Sequence, residues 1–92
     1  MDFQKRVKVA PDVLFRTLSS EAILLNLKTE RYYELDDVGV RMWQCVNESE
    51  TIQAAYETLI EEYAVEPSQL KQDMTDLLTQ LLENQLIVLQ DA

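Results

Sequence analysis

The side chains able to do chemistry in this sequence are almost all carboxylates. There is no histidine and one cysteine, Cys45, against 17 aspartates and glutamates. Without imidazole, the commonest general base and the commonest metal ligand are both missing. A Ser-His-Asp triad, a Cys/His zinc site and most hydrolase chemistry are therefore excluded within the chain. A lone thiol forms no internal disulfide, and in an apolar setting it reads as a small hydrophobe. No Asp-Ser pair opens a helix, so the serine of an acyl-carrier domain is absent as well. What is left is binding chemistry. Tyr32 and Tyr33 are adjacent in a β-prone run, Arg31-Tyr32-Tyr33-Glu34-Leu35, and an extended backbone sends their rings to opposite faces. Asp36-Asp37 follow at once, and a carboxylate there can accept the unpaired N–H groups of a helix start.

Charge narrows the partners further. Eight basic residues against 17 acidic ones leave a net charge of -9, which opposes both a phosphate backbone and an anionic lipid surface. Nucleic acid and membrane are thus not expected as partners. The nearest rival class is a winged-helix regulator, whose reading helix needs Arg, Lys, Asn or Gln aimed at base edges. The middle helix here offers Glu57, Glu61 and Glu62 instead. No apolar run approaches the ~18 residues of a membrane span, and MDFQKRVKVAPD lacks the apolar middle of a signal peptide. A cytoplasmic setting is expected.

The elements that must position these residues follow from periodicity. Hydrophobic content of 47% with 27% charged residues marks a globular chain, and its length suits one domain over residues 1–92. Residues 3–9 read as a locally basic extended strand-like segment, ended by Ala10-Pro11, so residues 1–10 form an N-terminal extended arm. Val13–Leu18 is β-prone, Ser19-Ser20-Glu21 is a turn, and Ile23–Leu27 is a buried strand. Lys28-Thr29-Glu30 is a polar break before the strand 31–35. Three short strands with tight connections predict an antiparallel meander that needs a helix layer on one face.

Val38, Met42 and Val46 recur at helical spacing beside Trp43, so a first helix follows Asp36-Asp37. Gly39, the only glycine, lies inside it, at up to about 1 kcal/mol against alanine, which predicts close packing at that point. Thr51 caps a second helix in which Ile52, Ala55, Tyr56, Leu59, Ile60 and Tyr63 share a face. Ala64-Val65-Glu66 is a linker. Pro67 suits the first position of a third helix, which runs to about Asn84 with Leu70, Met74, Leu77, Leu78, Leu81 and Leu82 as its apolar face. Leu86–Leu89 either extends that helix or returns as a short strand. The class is α+β and winged-helix-like: a three-stranded antiparallel sheet followed by three helices.

The run LLNLKTERYYELDDVGVRMW resembles the PqqD-like family, the leader-peptide recognition domains of pathways that modify ribosomally made peptides. The likeness is carried by Leu25-Asn26-Leu27, Tyr32-Tyr33, Leu35-Asp36, Gly39 and Met42-Trp43. In the C-terminal half it is carried by Thr51-Ile52, Tyr63, Asp73-Met74, Leu77, Leu78, Leu81 and Leu86-Ile87. It spans roughly residues 12–89. The Gly39-x-x-x-Trp43 spacing in a Tyr-rich context looks closest to the small stand-alone members of lasso-peptide pathways. Two positions depart from the pattern: Glu30 stands where the family usually has glycine after the strand, and the Ser19-Ser20 turn also lacks one. A Cβ disfavours positive φ, so turns of another type are expected there.

The resemblance implies a protein with no catalytic residue, no metal and no cofactor. It implies that an extended leader segment adds to the sheet edge by β-augmentation and is passed to a partner peptidase or modifying enzyme. One wall of the groove would be Arg31, Tyr32, Tyr33, Glu34 and Leu35. The other would be Leu70, Asp73, Met74 and Leu77 of the last helix, with Met74 favoured at the rim for its flexible thioether. A chaperone for the precursor of pyrroloquinoline quinone fits the same family, and an assembly adaptor without a peptide ligand fits the composition. The expected state is a monomer, or a weak or swapped dimer formed through the open edge.

Overall fold

A computed structural model describes residues 1–92 and contains five strands and three helices. In chain order these are β1 (Lys5–Val9), β2 (Val13–Leu18), β3 (Glu21–Asn26), β4 (Tyr32–Leu35), α1 (Asp37–Glu48), α2 (Ile52–Glu62), α3 (Pro67–Glu83) and β5 (Ile87–Asp91). The expected meander is present as an antiparallel sheet in the order β2-β3-β4. Alternation divides it cleanly. Val13, Phe15, Ala22, Leu24, Tyr33 and Leu35 share the inner face, and the register pairs Phe15 with Leu24 and Leu24 with Tyr33. Ala22, Leu24 and Leu35 are buried in a core cluster of 18 residues to which all three helices contribute. Ile23 and Leu25 point the other way and are only half-buried, so the strand is less buried than its unbroken apolar run implies.

The extended arm is an integral strand of the fold. β1 pairs antiparallel with β5 from Lys5↔Asp91 to Val9↔Ile87, and Phe3 and Val7 are in the core. The Phe3 carbonyl accepts from the Gln53 N–H at 2.8 Å, satisfying one of the unpaired donors in the first turn of α2. Phe3 meets Tyr56 edge-on at 6.1 Å between ring centroids, and the Lys71 ammonium sits over its ring. The tail after α3 is thus a strand. It was unreadable locally because its partner lies at the other end of the chain.

The helix starts follow the capping logic. Asp36 caps α1 by accepting from the Gly39 N–H at 2.8 Å, and Thr51 caps α2 by accepting from the Ala54 N–H at 3.0 Å. Pro67 opens α3, where no side chain caps the end. On the outer surface Arg41 of α1 donates to Glu62 of α2, its Nε lying 2.8 Å from Oε2. Part of the glutamate face of α2 is therefore paired rather than simply solvated.

The two glycine-less turns keep the backbone that glycine would favour. Glu30 has φ 67° and Ser19 has φ 61°, so the expectation of other turn types does not hold. A left-handed residue with a Cβ is disfavoured by roughly 1–2 kcal/mol. Glu30→Gly is therefore expected to stabilise the fold by about 1 kcal/mol, after the added entropy of the unfolded glycine. Thermal unfolding would show it as a rise of ~4–8 °C.

Candidate functional site

The site begins with an unpaired strand edge. β4 has β3 on one side and no strand on the other. Asn26 N–H donates to the Arg31 carbonyl at 2.9 Å, which makes 26/31 a hydrogen-bonded pair. The antiparallel alternation then makes Leu24/Tyr33 and Ala22/Leu35 the next such pairs. Tyr32 and Glu34 consequently direct their backbone N–H and C=O groups away from β3. These are the groups a guest strand would meet.

A buried asparagine holds that edge in place. Asn26, 5% exposed, is the one buried polar residue in the fold. Its Nδ2 donates to the Gln85 carbonyl at 2.8 Å, and its Oδ1 accepts from the Lys28 and Thr29 N–H groups at 2.9 and 3.1 Å. One side chain therefore shapes the β3–β4 turn and ties it to the corner between α3 and β5. The Leu-Asn-Leu run was visible in the sequence as part of a strand. The role of the amide was not, because Gln85 is remote in the chain.

Beyond the edge lies a groove between β4 and α3, lined by Glu21, Tyr33, Glu34, Leu35, Asp36, Gly39 and Leu77. Four of the nine expected residues meet there: Tyr33, Glu34, Leu35 and Leu77. Leu35 contributes from the core side, since it is almost fully buried. Gly39 explains its own presence. A Cβ on it would lie 3.2 Å from Leu35 Cδ2 and 3.2 Å from Asp36 Oδ1, so glycine lets the start of α1 close against the end of β4. The close neighbour is the strand just before the helix.

The other five expected residues are placed differently. Tyr32 is exposed on the outer face of the sheet, and Arg31 precedes the strand, also exposed. Asp73 is on the exposed side of α3, where its carboxylate accepts from Gln69 at 2.8 Å. Leu70 and Met74, at 3% and 1% exposure, are interior residues. Met74 is not at the rim in this structure: its thioether fills the core between α3 and α1.

The sequence also gave no sign of a second apolar space. A closed crevice between α1 and α3, too narrow for a water molecule, is lined by Met42, Trp43, Val46, Met74, Leu77, Leu78 and Leu81, with no polar residue. Leu77 lines both this crevice and the groove, so the two adjoin at that side chain. Trp43 is braced from the far side by Phe15 of β2, stacked at 5.8 Å with 13° between the rings. Cys45 faces the opposite flank of α1 and donates to the Ala55 carbonyl at 3.5 Å. Burial pushes its thiol pKa up, outweighing the bond to Ser49 that lowers it. Cys45 should therefore resist thiol reagents in the native protein and react only on unfolding. Native labelling as fast as that of a free thiol would contradict this.

Three carboxylates, Glu21, Glu34 and Asp36, surround the groove where β4 runs into α1. They disfavour an acidic guest and leave the apolar walls to supply affinity. The family model described as Coenzyme PQQ synthesis protein D (PqqD) matches residues 21–87. The chain belongs to the PqqD family. In this PqqD protein the match starts at β3 and ends on the first residue of β5, so the β1–β5 pair is formed largely outside the family pattern. Two solved structures share the fold. One is described as TbiB1 in complex with the TbiA(beta) leader peptide. It is 29% identical, with 87% of this chain and 93% of that one covered at a TM-score of 0.78. The other, lasso peptide synthetase B1 complexed with the leader peptide, is 22% identical, with 90% and 98% covered at a TM-score of 0.79. No curated protein matches the sequence. No helix of this PqqD protein is long and apolar enough to cross a membrane.

Proposed function

We propose that this protein binds the leader segment of a ribosomally made precursor peptide by strand addition to β4. It then delivers that peptide to a partner processing enzyme, a leader peptidase of the lasso-peptide kind, and performs no catalysis itself. The observation that carries this reading is the open β4 edge beside a groove in which Tyr33, Leu35 and Leu77 lie among three carboxylates. The leader peptide held by the 29% identical neighbour supports it. The lasso assignment rests on the Gly39-x-x-x-Trp43 spacing among tyrosines.

Magnitudes show what the guest must bring. Tyr32 and Glu34 offer two N–H and two C=O groups, and each new bond is worth a net ~1 kcal/mol. Micromolar affinity requires about 8 kcal/mol, after the cost of ordering the peptide. Apolar side chains must supply the remainder, each worth ~1.5–3 kcal/mol when fully buried. An extended guest directs alternate residues inward, onto Tyr33 and Leu77. The expected leader therefore carries an apolar or aromatic anchor and no clustered acidic residues at that end.

The test is titration of the labelled protein with a synthetic leader from the neighbouring precursor gene, followed by backbone NMR. Binding at micromolar affinity or better, with shifts concentrated at residues 31–36 and around Leu77, is the expected result. Absence of binding, or shifts confined to α2, removes the reading. The family description keeps the pyrroloquinoline quinone precursor as a second candidate guest, and the same titration with that peptide separates the two.

A further inference from the structure

The outer face of the three-stranded sheet is covered by no other element. It carries Leu14 and Leu18 on β2, Ile23 and Leu25 on β3, and Tyr32 on β4. Leu14, Leu18 and Tyr32 are 42%, 69% and 58% exposed. Register places these side chains in rows across the sheet: Leu14, Leu25 and Tyr32 form one, and Arg16, Ile23 and Glu34 the next. Arg16 and Glu34 flank Ile23 on opposite strands, and neither makes a salt bridge or side-chain hydrogen bond within the chain. A contiguous apolar sheet face with an unpaired cation on one flank and an unpaired anion on the other calls for a partner.

We infer that this face packs against the same face of a second copy of the chain, forming a weak twofold dimer by sheet-on-sheet contact. Charge selects both the occupant and the geometry. A twofold axis along β3 through Ile23 brings β2 of one copy over β4 of the other. Arg16 then faces Glu34 of the partner subunit, twice by symmetry, while Leu14 meets Tyr32 of the partner subunit and Ile23 packs on its own counterpart. An in-plane axis across the strands would instead set Arg16 on Arg16 and Glu34 on Glu34, which is repulsive. The patch is thus self-complementary in one orientation, as an isologous contact requires. Aligned face-to-face packing at a ~10 Å spacing suits two twisted sheets.

One contact opposes the pairing. Glu21 ends β3 on the same face, so it would meet Glu21 of the partner subunit at the rim, where both side chains can turn into water. Three short strands also cover less than the ~800 Å² per partner of a standard interface, so the dimer is weak. The axis leaves both β4 backbone edges free, although the side chains of Glu34 and Glu21, which also line the groove, enter the contact. Self-association is measured without peptide, so the inference stands or falls independently of leader binding.

Sedimentation velocity over roughly 10 μM to 1 mM protein, the range expected of a sub-standard interface, tests it. The unmodified chain should shift from monomer to dimer across that range. Arg16→Glu and Glu34→Arg should each raise the dissociation constant about tenfold or more. An equimolar mixture of the two variants should restore association, because each then meets its complement. Both sites are exposed, so circular dichroism of each variant should remain native. A monomer throughout, or a dimer indifferent to these charges, would overturn the inference and leave the face to a different protein.

Discussion

Leu77→Asp should reduce leader affinity by about 100-fold or more while leaving the fold intact. Leu77 is the one α3 side chain that lines the groove and the crevice together, and it is only partly buried, so the carboxylate can reach water through the groove in the free protein. On binding, that carboxylate would be covered by an apolar guest side chain without a partner, which costs several kcal/mol. Leu77→Ala removes only the contact and should cost about 2 kcal/mol, the scale of a typical hot-spot truncation. Glu57→Ala, on the exposed face of α2, serves as the control and should change nothing. Met74→Ala would be a poor substitute for Leu77: its side chain is in the core, and truncation there is expected to destabilise the fold by ~2–5 kcal/mol. Calorimetric titration of the four variants against one leader peptide separates these cases. Equal affinity for Leu77→Asp and the parent would place the guest elsewhere.

Asn26→Ala is expected to lower stability by ~2–3 kcal/mol, because it removes three side-chain hydrogen bonds at a partly buried corner. For a chain of this size that corresponds to a fall in melting temperature of roughly 10–20 °C. Leader affinity should fall too, since the turn that begins β4 loses its anchor. Asn26→Asp sharpens the test by pH. An aspartate keeps the acceptor for Lys28 and Thr29, but when ionised it turns a carboxylate toward the Gln85 carbonyl. Burial and the facing Gln85 carbonyl push the folded-state pKa up, against the two N–H donors that pull it down. With the raising causes dominant, the native state binds more protons, and stability falls as pH rises from the unfolded pKa through the folded one. Asn26→Asp should therefore approach the parent in acid and fall furthest below it at neutral pH. A deficit independent of pH would show that the amide's two bonded ends do not carry the corner.

How much of this was legible in the sequence depended on how local each signal was. The helix starts at Asp36, Thr51 and Pro67 could be read because a cap or a proline acts within four residues. The meander could be read because its turns are short. The β1–β5 pair could not, since Lys5 and Asp91 meet only once the chain has closed, and KRVKV hides a single buried valine among charges. The site divided in the same way. Tyr33, Glu34, Leu35 and Leu77 followed from the family resemblance, which names the strand and the helix that form the walls. Met74 was misplaced because a stripe of apolar residues does not say which member faces the core and which the rim. Glu21, Asp36 and Gly39 entered the groove only through the fold, although a solitary glycine inside a helix was a sign that something approached it closely. Glu30 and Ser19 show the reverse case: the backbone keeps a left-handed turn even where the residue type disfavours it.

The central claim is that Tyr32 and Glu34 present vacant backbone groups that a guest strand occupies. Amide hydrogen exchange resolved by residue tests it most directly. In the free protein the Tyr32 and Glu34 N–H groups should exchange rapidly, while that of Tyr33, bonded to β3, is protected. Saturating leader peptide should slow Tyr32 and Glu34 by a hundredfold or more, about what an opening free energy of ~3 kcal/mol for the docked strand would give, with Tyr33 much less affected. If Tyr32 and Glu34 are already protected without peptide, or stay fast when it is bound, strand addition at this edge is not how the protein holds its partner.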